Sequence, residues 1–287
     1  MRNLKFWHKA ELAVVASLAL AAVVPGVARA GHGGSPAAIQ QAIAANSVDA
    51  IQAELERAEH LVCAACTDLV MPLVDHPDAR VRRVAAWWLA RRAVGAQVQV
   101  AMLNRLSQSD STAARNAADV LGELHTPSSV PALGAALSNP TFSADARAAM
   151  AQALGTIGRP ACTPHLTAAL GDEQPKVRAA SLVALRSIPG FRDGSVAAPL
   201  VGDADETVRA EAAVTIATFR YAGAADALVA ALGDPSANVR KKAAWALGAI
   251  HAPSSVAGAA LSNAASSDSS AAVRSIAHIA LTQLSAG

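Results

Sequence analysis

The sequence predicts an all-α solenoid in which about seven two-helix repeats stack behind an N-terminal helical cap. Alanine, the residue with the highest helix propensity, occupies 73 of the 287 positions. The same count favours an all-helical fold over a β-sandwich or barrel. Hydrophobic residues make up 53 % of the chain, which excludes a disordered acidic tail, and only 3 % of residues are aromatic, which argues against a large aromatic core or a stacking platform for single-stranded nucleic acid. A segment containing an arginine recurs seven times at nearly equal intervals, and such a period indicates a solenoid.

Residues 1–30 have the pattern of a secretory signal peptide. A basic start is followed by an apolar run at 12–24 and by small residues before a cleavage site after Ala30. The apolar run is shorter than the roughly 20 residues that span a bilayer. We therefore expect an exported protein, periplasmic or secreted, with no membrane span after cleavage. An uncleaved N-terminal anchor is the alternative.

The charge balance changes when the signal peptide is set aside. The whole chain has 24 basic and 22 acidic residues, and four of the former but only one of the latter lie within 1–30. The remaining chain therefore has 20 basic and 21 acidic residues and lacks the basic surface of a nucleic-acid-binding protein. We expect no nucleic-acid partner.

Residues 31–59 precede the repeats and lack their arginine. The stretch 31–36 is predicted to be a flexible leader, and amphipathic helical patterns occupy 37–46 and 48–60. Because a solenoid needs an atypical terminal unit to cover its open apolar end, we expect these helices to form a cap. A partner-binding segment is the alternative. The repeats then occupy residues 60–287.

Each repeat contains two helices, here called A and B. The B helices carry the recurring arginine and, six or seven residues later, a Leu or Ile; the second repeat has its arginine one place nearer that residue. The arginines are spaced by 33, 32, 31, 31, 31 and 34 residues. They are Arg82, Arg115, Arg147, Arg178, Arg209, Arg240 and Arg274, and the second column is Leu89, Leu121, Leu154, Leu185, Ile216, Leu247 and Leu281.

An aspartate in the turn between helices A and B precedes four of these arginines by six residues. Because a guanidinium matches the geometry of a carboxylate, the two columns are predicted to form a charged ladder between adjacent repeats. A row of anion-binding arginines is the alternative. The four aspartates are Asp172, Asp203, Asp234 and Asp268; Asp75, Asp110 and Asp145 lie near the other three arginines at looser spacing.

The unit D-x5-VRxxAAxALGxI, seen best from Asp234 to Ile250, resembles the HEAT-like repeats first named from phycobilisome lyases. The resemblance covers about residues 60–287. It implies a right-handed α-solenoid with the B helices on the concave side, and a role as a binding scaffold. Some members of this group attach bilins, and deoxyhypusine hydroxylase binds two irons through His-Glu dipeptides. This sequence contains no His-Glu dipeptide.

Cys63 and Cys66 are placed on helix A of the first repeat, where residues three apart share one face. They are predicted to be buried thiols or a local disulfide, which an oxidising compartment would permit. Alternatives are a redox or cofactor-attachment pair and, with His60, a metal site, although His60 adds only a third ligand. Cys162 belongs to the fourth repeat, too far away to pair with either.

One face of the B helices is predicted to be free for a partner. Position +5 is counted from the repeat arginine, and the count is one less in the second repeat, where the arginine is shifted by one residue (the slip). This position points away from the packed stripe. It reads Trp87, Asp119, Gln152, Val183, Val214, Trp245 and Ile279, of which five are apolar or aromatic. Arg83 and Lys241, each four residues earlier, are expected to stack on Trp87 and Trp245. Burial between adjacent B helices is the alternative.

No set of nucleophile, base and orienting residue is visible, and no phosphate-binding loop occurs. We therefore assign no catalytic residue, no metal site and no cofactor. The sequence favours a scaffold that binds another protein, of unknown identity, through the concave B-helix face. A thiol-redox or cofactor-attachment (bilin-lyase-like) protein using Cys63 and Cys66 is the second hypothesis.

Overall fold

The computed structural model describes residues 34–61, 63–108 and 110–285. Within these ranges helices follow one another and no strand is present. The predicted all-α repeat fold is therefore confirmed. The predicted signal peptide at 1–30 lies outside the described residues. No helix in the described ranges is both long enough and apolar enough to cross a bilayer.

Two helices, α1 (Pro36–Ala44) and α2 (Val48–Arg57), precede seven hairpins. In chain order the hairpins are α3 (Ala64–Val70) with α4 (Ala79–Ala90), α5 (Gly95–Leu106) with α6 (Ser111–Leu124), α7 (Val130–Leu137) with α8 (Ala144–Ile157), α9 (Thr163–Ala168) with α10 (Pro175–Arg186), a 3-10 helix (Gly194–Gly202) with α11 (Glu206–Phe219), α12 (Ala225–Ala231) with α13 (Ala237–Ala249), and α14 (Ser254–Ser267) with α15 (Ala271–Ser285).

Short 3-10 helices complete several A helices. Met71–Asp75 continues α3 and Ala169–Gly171 continues α9, while three-residue segments precede α7, α9 and α12. In the fifth hairpin helix A is 3-10 throughout and contains Pro199. Proline has no N–H to donate and so disfavours a regular α-helix. The apolar pattern predicted a helix here but did not distinguish a 3-10 helix from an α-helix.

Contacts between helices connect neighbouring hairpins. Each B helix packs against the next, in the order α4, α6, α8, α10, α11, α13 and α15, and each also packs against its own helix A. The Leu and Ile column found in the sequence lies in this interface, where it is fully buried from Leu89 to Leu247. The apolar stripe of each hairpin is therefore covered by its neighbours, as expected for stacked repeats.

The N-terminal helices pack on the first hairpin. Ile39 of α1 and Leu55 of α2 are buried, and α2 lies against α4. The indole N–H of Trp88 donates to the carbonyl of Ala58 at 3.1 Å. Arg92 donates to three carbonyls that follow α2, those of Ala58, Glu59 and Leu61, at 3.0, 3.1 and 3.2 Å. These bonds fix the end of α2 against the end of α4.

Glycine allows the B helices to approach closely at α8 and α10. A Cβ atom placed on Gly155 would lie 2.8 Å from both Cα and Cβ of Ala184. Gly122 has the same position in α6, and its Cβ would lie 3.1 Å from Cα of Ala153. A methyl group at Gly155 would meet backbone that cannot move aside without shifting the helix.

We expect Gly155→Ala to lower the free energy of unfolding by about 1–2 kcal/mol. Overpacking costs about 1–3 kcal/mol, and the better helix propensity of alanine returns at most about 1 kcal/mol. Urea unfolding followed by circular dichroism measures the difference. Gly202→Ala is the matched control, because no atom lies within 4 Å of its added Cβ; it should change stability by less than about 0.5 kcal/mol. Equal effects of the two substitutions would contradict the close approach.

Candidate protein-binding face

An arginine–aspartate ladder runs along the turns of the later hairpins. Arg178 donates from Nε and Nη2 to the two carboxylate oxygens of Asp203, at 2.8 and 2.6 Å. The pair bridges α10 to the turn before α11, and both side chains are largely buried. Arg209–Asp234 and Arg240–Asp268 make the same two bonds to the next hairpin. Arg147 bridges to Asp172 through Nη1 alone, while its Nε donates to the carbonyl of Phe142.

Each ladder aspartate also binds within its own turn. Asp203 accepts the N–H of Asp205, the N-cap of α11, at 2.9 Å. Its backbone carbonyl accepts Nη1 of Arg209 at 2.8 Å. One aspartate thus links the preceding arginine, the start of its own helix B and the following arginine. Bidentate, charge-assisted bonds of this kind fix the register of adjacent hairpins.

The ladder is incomplete at both ends of the repeat array. Arg274 donates to the carbonyl of Asp268 at 2.6 Å and has no carboxylate partner among the described residues. Arg82 pairs with Asp119 of α6, from Nε and Nη2, at 2.9 and 2.5 Å. Arg115 has no acidic partner within the described ranges, and its Nε is buried without a hydrogen bond.

The second repeat explains the exceptions at Arg82 and Arg115. Ladder aspartates lie two residues before the N-cap of helix B, where the second hairpin has Gln108. Asp110 is the N-cap itself and accepts the N–H of Thr112 at 2.7 Å. Arg115 lies one residue farther from the N-cap of its helix than the other repeat arginines do. This turns its side chain by about 100° around the helix, so Arg115 is not in the ladder column. Asp75 binds Arg105 and Asp145 binds Lys176 instead.

The ladder lowers the pKa of three of its carboxyls. At Asp203 and Asp234 burial raises the pKa, but hydrogen bonds from the ladder arginines and backbone N–H groups together outweigh it, so each pKa lies below its usual value. At Asp268 the hydrogen bond from Arg240 is the largest influence, and the pKa is again lowered. The charged form of each carboxyl is therefore favoured in the folded protein.

The +5 column lies on the solvent-exposed side of the B helices, which is called the outer face below. Val183, Trp245 and Ile279 are 42 %, 41 % and 50 % exposed, so they are not buried between adjacent helices. Gln152 is also exposed, and Val214 is half-buried. The fourth to seventh hairpins therefore present an apolar stripe, defined here as Val183, Val214, Trp245 and Ile279.

Two residues of the column behave differently from the expectation. Asp119 is buried because it binds Arg82. Trp87 is half-buried, and Arg91, rather than Arg83, lies 4.3 Å over its ring. Helical side chains lean toward the N-terminus, so a residue four places later reaches back over the ring. Arg83 extends toward Asp119 instead, at 4.0 Å.

The expected stacking of Lys241 on Trp245 is not found either. The cation–ring contacts within the described ranges are Arg91 over Trp87 and Arg92 over Trp88. Trp245 thus presents its ring to solvent without a covering cation from this part of the chain. That leaves the largest apolar side chain of the stripe available for contact.

The same face is polar over the first three hairpins. A cavity of about 580 Å³ is lined there by Arg83, Asp119, Glu123, Gln152 and Thr156, among others. Burial raises the pKa of Glu123, against the smaller opposing influence of His125 and Arg83. The B-helix face therefore has a polar zone toward the N-terminus and an apolar stripe toward the C-terminus.

Sequence analysis missed a second charged bridge on the B helices. Glu211 of α11 accepts Arg186 of α10 at 2.6 Å and Lys242 of α13 at 3.0 Å. Burial raises the pKa of Glu211, but these two partners lower it more, and the net pKa is lowered. Glu211 and Lys242 share position +2 in consecutive repeats, so comparing that column for opposite charges would have indicated the bridge.

The structure joins Cys63 and Cys66 by a disulfide, with their Cα atoms 5.3 Å apart. Cys63 is the N-cap of α3 and Cys66 lies in its first turn. His60 is exposed, with its Nε2 3.9 Å from a carboxylate oxygen of Glu59, and no group of three His, Cys, Asp or Glu among the described residues could hold a metal ion. Cys162 is a buried free thiol whose pKa is raised by burial.

The sequence pattern described as HEAT repeats matches residues 100–186, 140–201 and 195–282. Together these matches cover more than half of the chain. The chain belongs to the HEAT-repeat family. The resemblance stated from the motif is thereby confirmed, and the ladder and stacked hairpins are the structural form that the repeats take in this member.

The chain is also similar to two curated relatives and to one solved structure. It is 33 % identical to human deoxyhypusine hydroxylase over 154 residues, 54 % of this chain and 47 % of that protein. The bovine enzyme is 33 % identical over 139 residues, 48 % of this chain and 44 % of that protein. The chain thus spans less than half the length of these relatives. The X-ray structure of Escherichia coli YibA matches with a TM-score of 0.58 and 17 % identity, covering 77 % of this chain and 92 % of that one, which shows the fold alone.

We expect Asp234→Asn to lower the free energy of unfolding at neutral pH by about 2 kcal/mol, since it removes charged hydrogen bonds to Arg209. Because the pKa of Asp234 is lower in the folded protein than in the unfolded chain, this carboxyl is protonated first in the unfolded chain as the pH falls. The stabilisation is complete above about pH 5 and is lost progressively below the unfolded pKa of about 3.9. Urea unfolding at several pH values measures both effects.

In this series Asp234→Asn should flatten the acid-side loss of stability relative to the unmodified protein. Asp226→Asn is the control, because Asp226 is an exposed carboxyl on α12. It should change neither the free energy of unfolding at neutral pH nor its decrease at acid pH. An unchanged acid profile in Asp234→Asn would show that the ladder does not carry the pH dependence.

Proposed function

We propose that this HEAT-repeat protein is an exported scaffold that binds another protein through the outer face of its B helices. One observation carries the proposal. Of the five large hydrophobic side chains that are exposed among the described residues, three occupy the same repeat position: Val183, Trp245 and Ile279. Aligned exposed apolar side chains, centred on a tryptophan, are typical of interaction surfaces.

The surroundings of the stripe support a protein as the ligand. Ser187 and Thr218 are exposed, uncharged polar residues that lie one helical turn beyond Val183 and Val214. An apolar centre with a polar edge suits contact with another protein surface. Because each hairpin adds one side chain to the row, the stripe is extended and fits an elongated segment of a partner.

The hydroxylase activity of the curated relatives is not carried over. The resemblance implies two irons held by His-Glu dipeptides, and the sequence contains none. The described residues also hold no cluster of three ligands for a metal ion. The donor set therefore does not fit that centre.

Export rests on the N-terminal pattern and agrees with the cysteine chemistry. Disulfides persist in oxidising compartments such as the periplasm and are rare in the cytosol. The Cys63–Cys66 bridge supports the proposal to that extent. Mass spectrometry of the protein from the exported fraction should give a first residue of Gly31. Recovery of the chain with residues 1–30 attached, in membranes, would support the uncleaved anchor instead.

We expect Trp245→Ala to weaken partner capture at least tenfold while leaving helix content unchanged, because the side chain is exposed and contributes contact area to the stripe. Captured proteins from the exported fraction are quantified by mass spectrometry against the unmodified bait. Trp87 makes a poorer test site, since it is half-buried and packs against the core.

Val100→Ala is the matched control for this experiment. Val100 is 59 % exposed but lies on α5, an A helix. It should leave capture unchanged. If both substitutions weaken capture equally, or neither does, the B-helix face is not the binding surface.

A further inference from the structure

The disulfide lies in the wall of an open cavity between the first hairpin and the end of α2. The cavity has a volume of about 920 Å³, and Leu61, Val94 and Cys63 line it together with the charged side chains of Glu59, Asp68, Arg91 and Arg92. Both arginines are held over tryptophan rings of α4. Apolar walls with a few oriented polar groups are the usual composition of a binding cavity.

The two sulfurs differ in access. Cys66 is fully buried, whereas Cys63 is half-buried and faces the cavity. Thiol–disulfide exchange requires a thiolate to attack one sulfur of the bridge while the other leaves. An incoming thiolate can therefore reach Cys63, and Cys66 is the leaving sulfur. The bridge therefore has one accessible sulfur for attack and one buried sulfur that leaves, as exchange with a bound thiol requires.

The bridge contributes little to holding the fold. It joins residues separated by 3 in sequence, and the stabilisation from a disulfide grows with the length of the loop that it closes. The surrounding elements are already connected by the bonds that Trp88 and Arg92 make to the chain after α2. A structural role therefore leaves the placement of Cys63 in a cavity unexplained.

We propose that Cys63 and Cys66 form a redox-active pair that oxidises a peptide dithiol bound in this cavity. This activity is additional to the scaffold function and does not depend on it. One substrate thiolate attacks Sγ of Cys63, the Cys63–Cys66 bond breaks, and Cys66 leaves as a thiolate that takes up a proton.

The second substrate thiolate then attacks the substrate sulfur of the mixed disulfide. The bond to Cys63 breaks, and Cys63 takes up the second proton. Two electrons and two protons pass from the substrate dithiol to the cysteine pair. The products are a substrate disulfide and reduced Cys63 and Cys66.

The exchange reaction is tested on the full mature chain carrying Cys162→Ser, which removes the third thiol. Oxidised glutathione is the probe for the single variants, and the mixed disulfide is measured by mass spectrometry. We expect Cys63 in Cys66→Ser to react at least tenfold faster than Cys66 in Cys63→Ser, because Cys66 is buried. Equal rates, or a faster Cys66, would overturn the assignment.

The chain with both cysteines intact provides a test that does not depend on the folding of those variants. Each protein molecule should oxidise one molecule of a synthetic peptide with two cysteines, so that two peptide thiols are lost per protein, while circular dichroism stays unchanged. Val94→Trp, which fills the cavity, should slow this reaction at least tenfold but leave reduction by dithiothreitol nearly unaffected. A bridge that is reduced only when the helices unfold is structural, and the proposal then fails.

Discussion

The structure depends on one constraint: a single helical hairpin cannot bury its own apolar stripe, so each B helix must lie close against the next. Small residues make that distance possible. Gly155 packs directly on Ala184, and the large side chains of the Leu and Ile column are buried around such contacts. This packing uses the flanks of each B helix and leaves its outer face without an internal partner. The exposed stripe is therefore a consequence of how the repeats stack.

The charged ladder adds register to this packing. An apolar interface of small side chains could slide, since alanine methyl groups are nearly equivalent along a helix. A bidentate pair such as Arg178–Asp203 has one satisfactory geometry, and its aspartate also caps a turn and accepts the next arginine. The cost of burying the charges is offset only when every donor and acceptor is satisfied. In the four consecutive bridges no side-chain nitrogen or oxygen is both buried and without a hydrogen bond.

The break in the ladder divides the outer face into two chemical zones. Where the second repeat slips by one residue, Asp119 replaces a turn aspartate as the partner of Arg82. That brings Arg83 and Glu123 together around a polar cavity on the same face. The ladder is continuous from the third to the sixth hairpin, and the apolar stripe begins at Val183 of the fourth. The N-terminal end, with its disulfide beside a separate cavity, is chemically distinct from both zones.

The sequence by itself determined the repeat architecture, because alanine content, a constant period and the arginine column are local and periodic properties that every hairpin shares. It also indicated the stripe, since position +5 follows from helix geometry alone. Only the tertiary structure decided the partners of single residues. Arg91 rather than Arg83 covers Trp87, Arg82 binds Asp119, and Glu211 bridges two neighbouring helices. These pairings depend on side-chain direction and on which acceptors in adjacent hairpins compete for the same donor. The spacing of residues within one repeat gives no information about contacts between hairpins.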